Sequence, residues 1–573
     1  MEKSAPSAVF LAAPKARTIA GKAVNVMQKS LIPLLFFLIC APVHALTPTE
    51  EYIRQYNEAI QEGANGVIVG ERVAAVSVLT DFYARRGFRP AWLDRPRFQA
   101  LLALLKAAPG HGLDPEDYHY RTLSEWPAAS DDSRQQAEQD ILATDALIRY
   151  GYHLHFGKVD PASLDPDWNL TRRLHDQDPV AVLEAAVAAP SLAAFVDTRL
   201  APNGSFYTGL RQALARYRDI ARAGGWPAVL DGPTLKPGDE GRRVIALRAR
   251  LAVTDSQLDP QAERPAFYDS QLLAAVERFQ RHHGLTVDGA VGRLTLRALN
   301  VTVESRIDQI RVNLERTRWV FRDLEARYLI VNIAGFHAYV MENGKSVWDS
   351  RVVVGTPYRK TPVFKAKMTY LVLNPTWTIP PTILKKDIIP AICRDPGYLA
   401  SRNMVLLDAS GQKVNVSDID LQKLTVNYFP YIVRQEPGPQ NALGRIKFMF
   451  PNGHFVYLHD TPSRDLFERA DRTFSSGCIR VEHPLTLAEL LLDDPVNWNR
   501  AEIEARLAEG ITQTVNLKTP ITVFLVYWTA EPEADGAVNF FNDVYARDPA
   551  VLEALQEPFR FIPLRRLRNT RQG

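Results

Sequence analysis

The sequence predicts an α+β chain of three or four domains, with helices in its first half and mostly strands in its second. The chain has 573 residues, more than one hydrophobic core usually organises. Amphipathic stretches at residues 72–86, 98–108 and 137–156 alternate with Pro- and Gly-containing turns, which indicates helices. From about residue 328, short apolar runs joined through turns such as Asn343-Gly344 predict a β-meander.

Residues 1–45 are expected to be an export signal rather than part of the fold. Lys15, Arg17, Lys22 and Lys29 precede the apolar run 31–40, and Val43-His44-Ala45 ends like a cleavage site. The run is too short for a typical membrane span, although a membrane-anchored precursor and a start at Met27 both stay open. An exported protein of this kind is expected in the periplasm.

Charge and cysteine content exclude several functional classes. The leader carries five of the Lys and Arg residues and one acid, so the whole-chain charge of +3 becomes about −1 once it is removed. A near-neutral protein has no electrostatic footprint for nucleic acid. Two cysteines in the mature chain cannot form a disulfide framework.

His153 and His155 are rejected as metal ligands because residues two apart in a helix face apart, and no cofactor is implied.

One stretch, residues 456–483, concentrates the candidate chemistry. His459 ends an apolar-alternating run that predicts a strand from residue 455, and the small-residue turn Ser475-Ser476-Gly477 delivers Cys478 next to Arg480. A cysteine becomes nucleophilic as a thiolate, which a cation, a histidine or a helix N-terminus favours. The predicted helix at 485–492 would supply the helix N-terminus, in addition to the cation Arg480 and the histidine His459. Cys393, in the apolar segment AICRDP, is expected to be a structural thiol instead.

These residues resemble a known signature. His459, fifteen intervening residues and then Ser-Ser-Gly-Cys-Ile-Arg are similar to the motif of the L,D-transpeptidase (YkuD-type) catalytic domain. Ser476 and Arg480 depart from it, since they replace the motif's second histidine and its asparagine. His459 is therefore left as the base. The arrangement of the whole chain is similar to the YcbB-type subgroup.

The resemblance implies a domain plan. Residues 46–230 would form a helical scaffold, 301–530 the mostly-β catalytic domain, and 531–573 a C-terminal helix, expected at 540–547, with a solvated basic tail. A Pro-rich insertion at about 377–445 would cap the substrate, the alternative being an ordinary surface excursion. Residues 235–300 resemble a three-helix peptidoglycan-binding type 1 module, with Asp269 capping its second helix. Glycan binding and simple support of the catalytic domain both stay open for this module.

A cluster of aromatic residues in the predicted scaffold has two structural interpretations. Phe82, Tyr83, Phe88 and Trp92 lie close together in the sequence. They would form either a sugar-stacking groove or part of a helical core, and core packing is the commoner role of such residues.

The family implies a mechanism for the central stretch. Cys478 would attack the amide between a third-position diacid and a terminal D-alanine in a peptidoglycan stem peptide. His459 would deprotonate the thiol and then protonate the leaving amine. The backbone N–H groups of Gly477 and Cys478, together with Tyr457, would stabilise the oxyanion.

Two further roles complete the expected site. The backbone carbonyl of Asp460 or the hydroxyl of Ser475 would orient the imidazole, and the sequence does not choose between them. Arg480, beside Ser476, would bind the free carboxylate of the diacid.

The expected partners are stem peptides, and the expected product is a 3→3 cross-link made by a monomer. A lysine of a wall lipoprotein or a free D-amino acid are alternative acceptors, and other wall-synthesis enzymes are candidate partners. Two rival functions remain. One is a cysteine endopeptidase or amidase, which the order of His459 before Cys478 disfavours. The other is a non-catalytic wall-binding protein, which the intact pair disfavours.

Overall fold

The structure is a computed structural model that describes residues 45–559, apart from 65, 128–129, 171, 173–176, 322–323, 396 and 420–427. The signal segment up to residue 44 and the basic tail from residue 560 lie outside the described residues, so both expectations stay untested. Among the residues that are described, no helix is long and apolar enough to cross a membrane.

Residues 47–222 are helical, apart from one small hairpin of strands, as the sequence predicts. Asp94, Asp132, Asp178 and Ser191 each cap the start of a helix through the side-chain oxygen. The elements are α1 (Pro48–Gln61), β1 (Val67–Ile68), β2 (Glu71–Arg72), α2 (Val76–Arg85), α3 (Arg95–Lys106), α4 (Tyr120–Ser124), α5 (Ser133–Phe156), α6 (Pro161–Leu164), α7 (Pro179–Ala188), α8 (Leu192–Arg199) and α9 (Ser205–Arg222).

The aromatic cluster belongs to the core of this helical region. Phe82, Tyr83 and Trp92 are buried, and Phe88 packs against the same cluster of side chains. The Trp92 indole donates to Thr144 Oγ1 at 2.9 Å, which satisfies its one polar atom. The core-packing prediction is confirmed, and a sugar-stacking groove built from these residues is wrong.

The next region has three helices, α10 (Arg242–Ala252), α11 (Ser270–His282) and α12 (Arg293–Leu299). Asp269 caps α11 by accepting from the Leu272 N–H at 2.8 Å, as its position predicts. Gly289 has φ +64, a left-handed conformation that favours glycine at the turn after α11.

The second half of the chain forms a sheet around one apolar core. It follows α13 (Val303–Val320) and contains β3 (Arg327–Asn332), β4 (His337–Glu342), β5 (Lys345–Gly355) and β6 (Phe364–Leu373), the predicted meander and its continuation. After an insertion come β11 (Ile446–Met449), β12 (Leu458–His459), β13 (Thr473–Ser475), β14 (Ile479–Val481), α17 (Pro484–Leu492), α18 (Arg500–Ala508) and β15 (Gln513–Val526). The strand order β13-β5-β14-β12-β11-β6-β15-β3-β4, with β4 also paired to β5, closes the sheet on itself.

The insertion is a folded unit rather than an irregular loop. Its own sheet, ordered β7-β10-β8-β9, encloses a separate apolar core that includes Ile379, Leu406 and Val433. Its elements are β7 (Trp377–Thr378), α14 (Pro381–Ile383), α15 (Ile389–Arg394), α16 (Tyr398–Ser401), β8 (Met404–Leu407), β9 (Lys413–Val414) and β10 (Ile432–Gln435). The Pro-rich sequence therefore supports structure of its own.

The C-terminal segment differs from the prediction of a helix at 540–547. The chain instead forms the hairpin β16 (Ala530–Pro532) and β17 (Val538–Phe540), then a loop, and only then α19 (Asp548–Gln556). The helix starts later than predicted because Pro549 is suited to its first turn. The Asp543 carboxylate accepts hydrogen bonds from the N–H groups of Arg547 and Asp548, just before the helix begins. Lys158 Nζ then binds the carbonyls of Leu555 and Glu557, which ties α19 to the scaffold.

Helix α13 connects the helical half to the sheet through a buried charge network. Arg318 and Glu315 pair at 2.7 Å with almost no exposed surface. Arg318 also donates to the Tyr207 hydroxyl at 3.0 Å and to the His111 carbonyl, while Glu315 accepts from the Val159 N–H at 2.7 Å. One ion pair therefore fixes scaffold segments against α13.

Replacing Arg318 by Met is expected to lower the free energy of unfolding by about 3 kcal/mol, because Glu315 is left buried without its cation. Urea unfolding would measure the loss. The double variant Arg318→Met, Glu315→Gln keeps the acceptor for Val159 and should recover part of the stability. Equal losses in the single and double variants would contradict the assignment.

Candidate active site

The parallel pairing of β12 with β14 assembles the candidate site. Leu458 lies opposite Ile479 and His459 lies opposite Arg480. Leu458 and Ile479 are fully buried in the sheet's core. Since side chains alternate along a strand, Tyr457, His459, Cys478 and Arg480 share the other face. The sequence-predicted histidine and cysteine are therefore brought onto one face of neighbouring strands.

The strand that carries His459 is shorter than predicted. It begins at Leu458, because Phe455 adopts φ +56 and its side chain is exposed. The Asn452 side chain bonds to backbone groups that a neighbouring strand would otherwise pair with. It accepts from the Val456 N–H at 3.2 Å and donates to the Val456 carbonyl at 2.7 Å. Residues 455–457 therefore form a loop held by the Asn452 side chain, although their alternating apolar residues predict a strand.

His459 is oriented by a backbone carbonyl. Its Nδ1 lies 2.5 Å from the Asp460 carbonyl oxygen, so Nδ1 carries the proton and Nε2 is left as the acceptor. Burial, followed by the charge of Arg480, lowers the pKa of His459 to about 3. The imidazole is therefore neutral at physiological pH, as a general base must be.

The Asp460 side chain holds that carbonyl in place. Its carboxylate accepts from the N–H groups of Arg445 and Thr461 at 2.8 and 2.7 Å and pairs with Arg464. Gly444 has φ +61, and a Cβ there would lie 2.4 Å from the Asp460 carboxyl carbon. The close approach requires glycine at this position.

Ser475 positions the nucleophile loop rather than the histidine. Its hydroxyl donates to the Cys478 carbonyl at 2.5 Å and accepts from the Gly477 N–H at 3.0 Å. Of the two orienters that the sequence left open, the Asp460 carbonyl is the one in contact with the ring. The Gly477 N–H donates to Ser475 in this structure, and its role in stabilising an oxyanion stays a prediction.

The thiol is not ionised by its surroundings, contrary to the sequence-based expectation. Burial raises the pKa of Cys478, although hydrogen bonds from the Tyr457 backbone and hydroxyl and the charges of Lys447 and Arg480 act in the opposite direction. The predicted helix is present and begins at Pro484, beyond β14. The resting thiol donates to the Phe455 carbonyl oxygen at 3.8 Å, and both the thiol and the His459 imidazole are neutral.

A hydrogen-bond chain behind Cys478 was not predicted from the sequence. Fully buried Thr361 donates from Oγ1 to the Gly477 carbonyl and accepts from the Gly355 N–H, both at 2.9 Å. The Tyr545 hydroxyl accepts from the Thr361 N–H at 3.1 Å and donates to the Gly355 carbonyl at 2.6 Å. The C-terminal segment thereby supports the loop that carries the nucleophile.

Ser476 links the nucleophile loop to the insertion. Its hydroxyl lies 2.8 Å from Arg359 Nη1, and the same nitrogen pairs with Asp387 of the insertion at 2.8 Å. The residue that replaces the motif's second histidine thus contacts Arg359, and its binding of substrate stays a prediction.

Two cations lie on the active face without anionic partners. Arg480 has a buried Nε that bonds to nothing among the described residues. Lys447 lies opposite His459 in the pairing of β11 with β12, and its Nζ sits 3.9 Å from the Tyr457 ring centroid. Neither has an ion pair within the described part of the chain. Sequence reasoning missed Lys447 because only the sheet register brings it to the site.

Cys393 is exposed, so the expectation of a buried structural thiol is wrong. The apolar residues around it, Ile389 and Ile392, supply the buried side of its short helix instead. Groups of three or more His, Cys, Asp or Glu residues able to hold a metal ion are absent from the residues that the structure describes.

Comparison with known families identifies the domain that contains this site. Residues 326–523 match the L,D-transpeptidase catalytic domain (YkuD). The chain contains an L,D-transpeptidase catalytic domain. Residues 240–299 match the peptidoglycan binding domain of type 1, and residues 77–214 match the Scaffold domain. The α+β class with a mostly-β catalytic domain is confirmed, whereas assignment to the YcbB-type subgroup stays a prediction.

Two curated proteins match parts of this chain. A Haemophilus influenzae protein named as an L,D-transpeptidase is 35% identical over 297 residues, which cover 50% of this chain and 60% of that protein. The amidase CwlM of Mycobacterium tuberculosis is 42% identical over 77 residues, 12% of this chain and 19% of CwlM. The chain thus matches less than two thirds of either curated relative.

Solved L,D-transpeptidases are more distant. That of Stackebrandtia nassauensis is 14% identical with a TM-score of 0.21, covering 52% of this chain and 96% of that structure. That of Xylanimonas cellulosilytica is 14% identical with a TM-score of 0.17, covering 52% and 99%. Scores this low add nothing to the family match.

Replacing Thr361 by Val should remove the hydrogen-bond protection of the Gly355 amide and lower the free energy of unfolding by about 1–3 kcal/mol, since two buried polar groups lose their partner. Hydrogen exchange and urea unfolding would measure the two effects. Thr361→Ser keeps the hydroxyl and serves as the control. Unchanged protection in Thr361→Val would disprove the role of this hydroxyl.

Proposed function

We propose that this protein is a peptidoglycan L,D-transpeptidase that joins stem peptides by 3→3 cross-links through an acyl-thioester on Cys478. The observation that carries the proposal is the β12–β14 register, which brings Cys478 and His459 to the same face of neighbouring chain segments within a matched transpeptidase domain. The neighbouring peptidoglycan-binding module fits a wall substrate.

The first half-reaction acylates the cysteine. The sulfur of Cys478 attacks the carbonyl of the third stem residue while its proton passes to Nε2 of His459. Because burial disfavours a separate thiolate and imidazolium, this proton transfer accompanies formation of the S–C bond. The amide C–N bond then breaks, and the proton leaves on the amine of the released D-alanine.

The second half-reaction transfers the acyl group. A side-chain amine of another stem attacks the thioester, gives a proton to His459 and forms the new amide, after which the proton returns to the sulfur. The oxyanion of each step is stabilised by the Cys478 N–H and the Tyr457 hydroxyl. Arg480 holds the free carboxylate of the acyl residue, since its guanidinium has no protein anion to bind among the described residues.

The remaining parts of the proposal concern location and the insertion. A protein with an export signal and a wall-directed module would act in the periplasm on stem peptides. The insertion would cover the acyl-enzyme, because Arg359 Nη1 contacts both the Ser476 hydroxyl of the nucleophile loop and Asp387 of the insertion. Water exclusion of this kind favours an amine acceptor over hydrolysis.

Purified protein incubated with disaccharide-tetrapeptide stems should release D-alanine and form cross-linked dimers, as judged by mass spectrometry. Intact mass should also show a covalent carbapenem adduct. Cys478→Ser should abolish all three signals, because it removes the thiol that forms the acyl bond.

The exposed thiol provides a matched control for that experiment. Cys393→Ser should behave like the wild type. Clipped monomers without dimers would instead assign an endopeptidase, and cross-linking by Cys478→Ser would exclude the cysteine mechanism.

A further inference from the structure

Lys447 is a half-buried lysine whose position suggests a role that the mechanism above does not use. It is the register partner of His459, and its Nζ stacks on the ring of Tyr457 at 3.9 Å. Burial lowers its pKa, and only the nearby Cys478 sulfur favours its charge. A cation taken out of water without an anionic partner is costly, so its retention calls for a ligand that supplies the anion.

The strand register places the two site cations on opposite sides of His459. Lys447 on β11 and Arg480 on β14 both lie opposite His459 on β12, while Tyr457 and Cys478 directly precede β12 and β14. The acyl residue bonds to Cys478, on the Arg480 side. The leaving amine takes its proton from His459, so the leaving residue lies toward β11.

The positions of the side chains fit a single leaving amino acid. The Lys447 Nζ lies 3.9 Å from the Tyr457 ring centroid, and that centroid is 5.7 Å from the centroid of the His459 ring. In an α-amino acid the amine and the carboxylate are separated by one carbon. A residue whose amine is at His459 can therefore direct its carboxylate past Tyr457 toward the ammonium of Lys447.

We infer that Lys447 binds the free carboxylate of the leaving residue, so that the site selects donors whose scissile bond is followed by one terminal residue. This inference rests on the proposed function and makes Lys447 a specificity-determining residue. It also explains the two unpaired cations together, since each would bind one of the two free carboxylates that flank the scissile bond.

An alternative role for Lys447 is purely electrostatic. Its charge favours the ionised form of Cys478 and would assist attack on every donor alike. The two roles differ in what they do to a donor that lacks the terminal carboxylate. Binding of the carboxylate changes the preference between donors, whereas assistance to the thiol does not.

The test compares a tetrapeptide stem with the same stem ending in a carboxamide. The readout is the acid-to-amide ratio of kcat/KM for release of D-alanine or D-alaninamide. The wild type should prefer the acid by roughly 10- to 100-fold, the value of a charge-assisted hydrogen bond. Lys447→Met should bring the ratio close to one, and Lys447→Arg should restore most of it.

Lys365 offers a matched control, because its Nζ also stacks on a ring, that of Phe524 at 5.3 Å, away from the reacting groups. Lys365→Met should keep the wild-type ratio. A ratio unchanged in Lys447→Met, or a wild type that uses both donors equally, overturns the inference while leaving the transpeptidase proposal intact. A wild type that releases neither product removes the proposed function and this inference with it.

Discussion

The parallel pairing of two short strands, Leu458–His459 and Ile479–Val481, is the constraint on which the site depends. It commits Leu458 and Ile479 to the core and leaves the histidine and the cysteine together on the opposite face. A register shift of one residue would exchange these two sets of side chains. Thr361 and the Asp460 carboxylate then hold the two connecting loops in the conformation that this register needs.

Burial shifts the pKa values of Cys478 and His459 in opposite directions, and both shifts favour the neutral form of the group. It raises the pKa of the Cys478 thiol and lowers that of the His459 imidazole, so each is neutral at rest. A neutral pair avoids a permanently exposed thiolate, the form most susceptible to oxidation. The charge needed for attack then develops only when a carbonyl is in place, beside the two cations of the active face.

Local sequence patterns predicted those features that depend on nearby residues. The Asp269 cap and the meander around Asn343-Gly344 both belong to this group. Features set by distant contacts were missed. Tyr545 reaches Thr361 from 184 residues away, and Lys447 joins the site only through sheet register. The misplaced C-terminal helix and the exposed Cys393 show the same limit, because an apolar segment does not reveal which of its sides is covered.

The most direct test of the neutral-pair account is the pH dependence of iodoacetamide alkylation at Cys478, in a Cys393→Ser background. The rate follows the thiolate fraction. Because burial raises the pKa of this thiol, the folded protein should reach half-maximal rate at a higher pH than the urea-unfolded protein, and His459→Gln should give the same profile. A plateau below pH 7 that His459→Gln abolishes would reveal a preformed thiolate–imidazolium pair and contradict the account.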